Sequence, residues 1–176
     1  MAQSPSKWIG LVILAILLAV GFVAFKPAGG GKDRELLEAA KAGDLAKVTS
    51  LVESGADINF QRSDAKWKTW TGQEPDPYGG YSALHEAAEW ARPEVLAYLL
   101  SKGAKPDPRN DWGSTPLMMA VAVGSKDCTV ILLEKGADPL AVNKADKGLI
   151  AFAAKRFMNP NAEEVLAIVK AAGATK

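Results

Sequence analysis

The side chains able to do covalent or metal chemistry are few in this chain, and they stand apart. His85 is the only histidine and Cys128 the only cysteine. A histidine base or metal ligand needs a second group at a fixed spacing, and no His-x-x-x-His or cysteine pair supplies one. A single cysteine also excludes an intrachain disulfide and a cysteine-based zinc cage. Gly29-Gly30-Gly31-Lys32 has the look of a phosphate loop, but no strand precedes it and no Ser or Thr follows the lysine, so it reads as a spacer. No Gly-x-Ser-x-Gly elbow is present, and Glu163-Glu164 fit the first turn of a helix, where carboxylates complement the dipole. With 21 basic against 20 acidic residues, no bulk field draws the chain to nucleic acid. The sequence therefore predicts no enzyme, no catalytic residue, no cofactor and no metal site.

What remains is the chemistry of recognition. Beyond Trp8, the tryptophans are Trp67, Trp70, Trp90 and Trp112, with Tyr78 and Tyr81 close to them in sequence. Such side chains bury large areas with few rotors to freeze, so exposed groups of them usually mark contact surfaces. Lys155 and Arg156 are candidates from the other end of the chain. Whether these residues meet depends on the elements that carry them.

A fixed period sets those elements. Gly55-Ala56-Asp57, Gly103-Ala104-Lys105 and Gly136-Ala137-Asp138 are three copies of one marker. Gly103 and Gly136 stand one period apart, about 33 residues, while the step from Gly55 to Gly103 is longer by nearly half a period. Ser82-Ala83-Leu84-His85 and Thr115-Pro116-Leu117-Met118 are a second marker, again separated by one period. A repeat of this length means stacked supersecondary units sharing one core. Each unit opens with a hydroxyl able to cap a helix, and Pro116 sits where a missing N–H does no harm. An alanine-dense helix follows (Ala87-Ala88, Ala120-Val121-Ala122), then a second with paired aliphatics (Val95-Leu96, Leu99-Leu100, Val130 to Leu133), ended by Gly103 or Gly136. Cys128 falls among those aliphatics, where a thiol packs as a short hydrophobe.

Ser82-Ala83-Leu84-His85-Glu86-Ala87-Ala88 resembles the first-helix signature of the ankyrin repeat, and Gly-Ala-Asp resembles that family's usual helix ending. Leu36 to Leu45, followed by Val48, Leu51 and Val52, looks like an opening repeat. The last unit departs from the pattern: Gly148 replaces the capping Thr, and Phe157-Met158-Asn159-Pro160 lengthens the approach to a helix over 162–172, as a terminal cap would. The resemblance implies an all-α solenoid of about four helix-turn-helix repeats with β-turn finger loops, over 33–60, 81–110, 111–143 and 144–176. It gives His85 a structural role, hydrogen-bonding the loop between repeats. It puts Trp112 near a finger tip and Trp90 on the exposed concave face, with Lys41-Ala42, Glu89, Ala122-Val123 and Lys155-Arg156. The surplus in the longer interval becomes an inserted finger loop over about 62–80 carrying Trp67, Trp70 and Tyr78, with Lys66 and Lys68 adding charge. A loop that long needs its own small core to be ordered, so Trp67 and Trp70 folding back upon it is the structural alternative.

The first residues carry a separate signal. After a short tail ending at Lys7, the stretch from Trp8 to Phe25 runs without a charged side chain. As a helix it spans about 27 Å, close to the ~30 Å of a hydrocarbon core. This predicts a transmembrane anchor over 8–25 and a Gly-rich linker over 26–32. A cleaved signal peptide is the alternative, although cutting after Ala19-Val20-Gly21 would expose Phe22-Val23-Ala24-Phe25. Lys26, Lys32 and Arg34 after the span against Lys7 before it favour a cytoplasmic domain. The short basic tail resembles that of export signals, and similar bacterial anchors commonly hold their domain outside. The expectation is a single-pass inner-membrane protein with a periplasmic repeat domain, with the cytoplasmic side as the alternative. The expected partner is a protein or peptide with acidic flanks. An accessory or immunity role toward a secreted toxin or envelope enzyme, or glycan stacking on Trp67, Trp70 and Tyr78, are the alternatives.

Overall fold

The structure is a computed structural model describing residues 31–62, 79–153 and 161–173. Its helices come in pairs, each pair made by one unit of the repeat: α1 (Gly31–Ala42) and α2 (Leu45–Glu53), α3 (Ala83–Glu89) and α4 (Pro93–Ser101), α5 (Pro116–Val123) and α6 (Lys126–Glu134), α7 (Leu149–Ala153) and α8 (Ala162–Ala171). The first helices contact one another in the order α1, α3, α5, α7, and the second helices α2, α4, α6, α8 form the adjoining layer. Gly31 to Lys176 make one compact unit. Gly31 and Lys32, assigned by sequence to the linker, are the first residues of α1.

Local chemistry explains several of the boundaries. Asp44, Ser82, Thr115 and Ser125 cap α2, α3, α5 and α6 by accepting the backbone N–H three residues on. At the far end of α4, Gly103 takes φ +91°, and the N–H of Ala104 returns to the carbonyl of Leu99 at 3.0 Å. Ala56 to Leu51 and Ala137 to Leu132 repeat that bond at 3.0 Å, which is why the glycine period reads as a helix-ending period. The small residues do what close packing requires. Ala40, Ala87, Ala88 and Ala120 are fully buried where first helices stack, and α3 is buried from Ala83 to Ala88 because it has neighbours on nearly every side.

A side-chain clasp links one unit to the next at the same register position. Asn59 Oδ1 accepts the backbone N–H of Lys105 at 2.9 Å, and Asp107 Oδ2 that of Asp138 at 3.0 Å. Asp33, in the first turn of α1, does the same for Asp57 at 2.8 Å. The equivalent position of the third unit is Leu140, which has no acceptor and is exposed. The last unit is the irregular one: α7 is five residues long, starting after Gly148. Leu149, Val165 and Val169 still close the end of the core. Among the described residues no helix is long and apolar enough to cross a membrane. The span expected over 8–25 lies outside them.

Candidate partner-binding face

Beside the first helices run the finger loops, and backbone geometry fixes where the insertion enters. In the third unit the finger closes with Asn110 N–H to Ser114 O at 3.0 Å and Gly113 N–H to Asn110 O at 2.8 Å, around the tip Asp111-Trp112. The second unit makes the same two bonds: Arg62 N–H to Tyr81 O at 2.8 Å and Gly80 N–H to Arg62 O at 2.7 Å. These enclose the whole of 63–79, where the third unit has only Asp111 and Trp112. The insertion therefore replaces a finger tip and leaves the finger's base unchanged, with Gln61 and Ser82 bridged as an antiparallel pair.

Adjacent fingers are zipped together. Asp111 N–H donates to Gly79 O at 3.1 Å and Lys144 N–H to Trp112 O at 2.9 Å, an identical bond one period on. Gln61 and Arg109 occupy one register position and reach across in the same way. Gln61 Nε2 donates to Gly80 O and Arg109 O at 3.0 and 2.9 Å, and Arg109 Nη1 to Gly113 O and Val142 O at 3.0 and 2.7 Å. Gly80 allows the approach: its φ is +78°, and a Cβ there would stand 2.5 Å from the backbone nitrogen of Asp111. The residue ending the insertion is thus hydrogen-bonded to the finger that presents Trp112.

The first helices present matching rows. The repeat places Glu38, Glu86, Met119 and Phe152 in one register position, and Lys41, Glu89 and Ala122 in the position three residues on. Among the described residues of these rows, those toward α7 (Met119, Phe152 and Ala122) are apolar, while those toward α1 are charged. Arg62 Nη2 lies 3.3 Å from Glu38 Oε1 and 3.7 Å from Glu86 Oε1. Glu86 is only 2% exposed, and its Oε2 has no hydrogen-bond partner; nor has Oε2 of Glu89. Burial raises the Glu86 pKa from 4.5 to about 7, against the pull of Arg62 and Lys41. Lys41 sits with its ammonium 5.0 Å over the ring of Trp90.

Of the residues singled out by sequence, Trp90 and Trp112 are each 42% exposed, as the repeat pattern implies. Tyr81 is a correction. The sequence groups it with the exposed aromatics, yet it is 5% exposed, its hydroxyl 3.2 Å from the Met119 sulfur and its ring 5.2 Å from that of His85. It occupies the position just before the cap Ser82, where the finger turns into the core, and is packing rather than contact surface. Trp67, Trp70, Tyr78, Lys155 and Arg156 lie outside the described residues.

His85 has the structural role implied for it. Its Nε2 lies 3.0 Å from Ser114 O in the next finger, and a carbonyl only accepts, so Nε2 carries the proton. Nδ1 then accepts from the Ser82 N–H at 3.2 Å and its hydroxyl at 2.9 Å, closing a capping box. Burial lowers its pKa from 6.5 to about 4, which keeps the ring neutral. Cys128 is fully buried, and burial pushes its thiol up, away from thiolate chemistry. No group of three His, Cys, Asp or Glu that could hold a metal occurs among the described residues.

Sequence reading missed Glu86, Glu38 and Arg62 as a set, and Gln61 and Arg109 as finger bridges. The signal was present in the register. Glu86 shares its position with Met119, so a carboxylate stood where the next unit buries a thioether.

Comparison with known proteins agrees with this geometry. The family profile described as ankyrin repeats (3 copies) matches residues 36–143. The chain is 34% identical over 119 residues to the Homo sapiens cyclin-dependent kinase 4 inhibitor B, covering 57% of this chain and 86% of that one. It is 34% identical over 90 residues to the Homo sapiens 2-5A-dependent ribonuclease, covering 51% of this chain and 10% of the relative. Against the Caenorhabditis elegans ankyrin repeat and KH domain-containing protein mask-1 it is 32% identical over 122 residues, covering 68% and 4%. The chain thus spans only a small part of the last two.

Proposed function

The chain belongs to the ankyrin-repeat family, and from that premise we propose that it is a membrane-tethered, non-catalytic recognition module. It holds a protein or peptide partner on its first helices and fingers. The observation that carries this reading is the insertion at a finger tip. The chain lengthens there without disturbing the finger's base, and the inserted stretch holds Trp67, Trp70 and Tyr78. Its closing residue, Gly79, is bonded to the finger that exposes Trp112. The bonds between fingers use the tip backbone of Asp111 and Trp112 and not their side chains, so side chains carried at a tip are available for contact.

The apolar run Trp8 to Phe25 supports a bacterial inner-membrane anchor, and the short basic tail supports a periplasmic domain, with the cytoplasmic side as the alternative. Crosslinking and affinity capture from native membranes tests the recognition reading, using the intact chain against Trp112→Ala and Trp67→Ala/Trp70→Ala. Recovery of one partner by the intact chain, with loss in the tryptophan variants, is the expected result. If those variants keep every partner while Lys155→Glu loses it, the finger-tip reading is wrong. A reporter fused at Lys176 reads the topology separately.

A further inference from the structure

The second helices carry a depression of their own. Between α4 and α6 runs a groove of about 590 Å³, floored by Pro93 and Ala97 from one helix and Val130 and Ile131 from the other. All four are half-buried, so apolar surface there still meets water that burial would remove. Ala97 and Val130 occupy one register position of the repeat, and the smaller side chain on α4 leaves the space. The rim is Glu94, Lys126 and Asp127, each exposed. Lys126 is engaged elsewhere, its ammonium 3.1 Å from Glu164 Oε2 on α8. An ion pair thus ties α6 to α8. Across the groove from α4 to α6 the rim instead presents two acids. Glu94 and Asp127 share a register position, one on each wall, and neither has an ion pair among the described residues. Each stands in the first turn of its helix, where about half a positive charge offsets its own only in part. Burial raises the Cys128 thiol first, and both of these carboxylates add to that rise, so the two charges act on the same atom.

We propose that this groove is a second docking surface, for a protein segment that sets a lysine or arginine beside an aliphatic or aromatic side chain. The apolar side chain fills the depression over Ala97 and removes the floor from water. The cation lies between Glu94 and Asp127, where it pairs with both and relieves their mutual repulsion. Charge decides the class of partner. With Lys126 held by Glu164, two uncompensated negative charges face the groove, and they repel an acidic segment or an anionic bilayer surface alike. The stem of the basic residue packs on the same floor as its apolar neighbour, so one short segment satisfies rim and floor together. The groove belongs to the second-helix layer, whereas Trp90 and Trp112 belong to the first helices and fingers. The inference therefore stands without the finger-tip reading, and the chain holds two segments at once, one on each layer.

The test selects a random peptide library on the full-length chain and measures the bound peptides against variants. The expected result is a class that pairs a basic residue with an apolar neighbour and binds Trp112→Ala as tightly as the intact chain. Glu94→Gln/Asp127→Asn should weaken that class by about fivefold to tenfold, and added salt should weaken it on the intact chain. Changing the peptide's arginine to citrulline, which keeps the shape and removes the charge, should cost as much on the intact chain and little on the double variant. Ala97→Trp, which fills the depression, should lower binding by about tenfold. Glu94 and Asp127 are both exposed, so the double variant keeps its fold and carries the test even where Ala97→Trp does not. Three results overturn the proposal: selection of no such class, a class that binds the double variant and Ala97→Trp undiminished, or one that is lost with Trp112→Ala alone. Sedimentation showing dimers that Ala97→Trp abolishes would assign the groove to a second copy of the chain and overturn it too.

Discussion

Glu86→Gln should change how stability depends on pH, and the structure gives both sign and size. In the folded chain burial raises the Glu86 pKa from 4.5 to about 7. Below 4.5 folded and unfolded states both hold the proton. As pH rises to about 7 the unfolded chain releases it first, so stability falls across that window and stays low above it. Each tenfold in proton affinity is worth about 1.4 kcal/mol, which makes the loss about 3 kcal/mol. His85 does the reverse. Its pKa falls from 6.5 to about 4, so stability rises with pH between those values, by a similar ~3 kcal/mol. The two windows nearly coincide. The intact chain should therefore look almost flat from about pH 4.5 to 6.5, through cancellation by adjacent residues. Glu86→Gln removes one arm. Urea unfolding should show the stability gap between variant and intact chain move in the variant's favour by about 3 kcal/mol from pH 4 to pH 8, any cost of the new amide's unmet donors being the same at both. A difference between the two proteins that stays constant with pH refutes the reasoning.

Gly80→Ala should destabilise the chain by about 1–3 kcal/mol in the same unfolding assay, from the left-handed backbone and the close approach to Asp111. Tyr81→Ala, at a buried site, should cost about 3–5 kcal/mol, and Trp112→Ala, at a half-exposed one, well under about 1 kcal/mol while reducing partner capture. Equal destabilisation by those two would undo the separation of core from contact surface. Asn59→Ala and Asp107→Ala should each lower stability by about 1 kcal/mol through the lost clasp, with hydrogen exchange rising at Lys105 and Asp138 respectively. Protection unchanged at those two amides would mean the clasp is incidental.

The period alone made most of the helix order legible, because each marker has a local cause. Gly103 is needed for a positive φ, and Ser82 and Thr115 for a cap, and neither cause depends on distant residues. The exposure of Trp90 and Trp112 was legible for the same reason, as the register already puts them outside the core. Tyr81 was not. It lies close in sequence to the position that the repeat assigns to a finger tip, and only its contacts with His85 and with the distant Met119 decide that it turns inward. Long-range pairs of this kind have no signature in one chain's spacing.

The charged cluster was hidden for a different reason, and it shows what a repeat can reveal. Glu38, Glu86 and Met119 are one position seen three times, and their environments follow from rank in the stack. Among the described residues no repeat is stacked before the first unit, and Glu38 keeps most of its exposure and tolerates its charge. The third unit is covered, and a thioether fills the space. The second is covered as well, yet it keeps a carboxylate. A repeat offers its own control experiment in this way: Met119 demonstrates that an apolar group fits the site, so packing does not require Glu86. Burial of its carboxyl costs stability at neutral pH. What the fold supplies in return is the Arg62 guanidinium, 3.3 Å from Glu38 and 3.7 Å from Glu86. Burial sets the pH dependence, so a Glu86→Gln variant whose stability follows the same pH profile as the intact chain would remove this account of the residue.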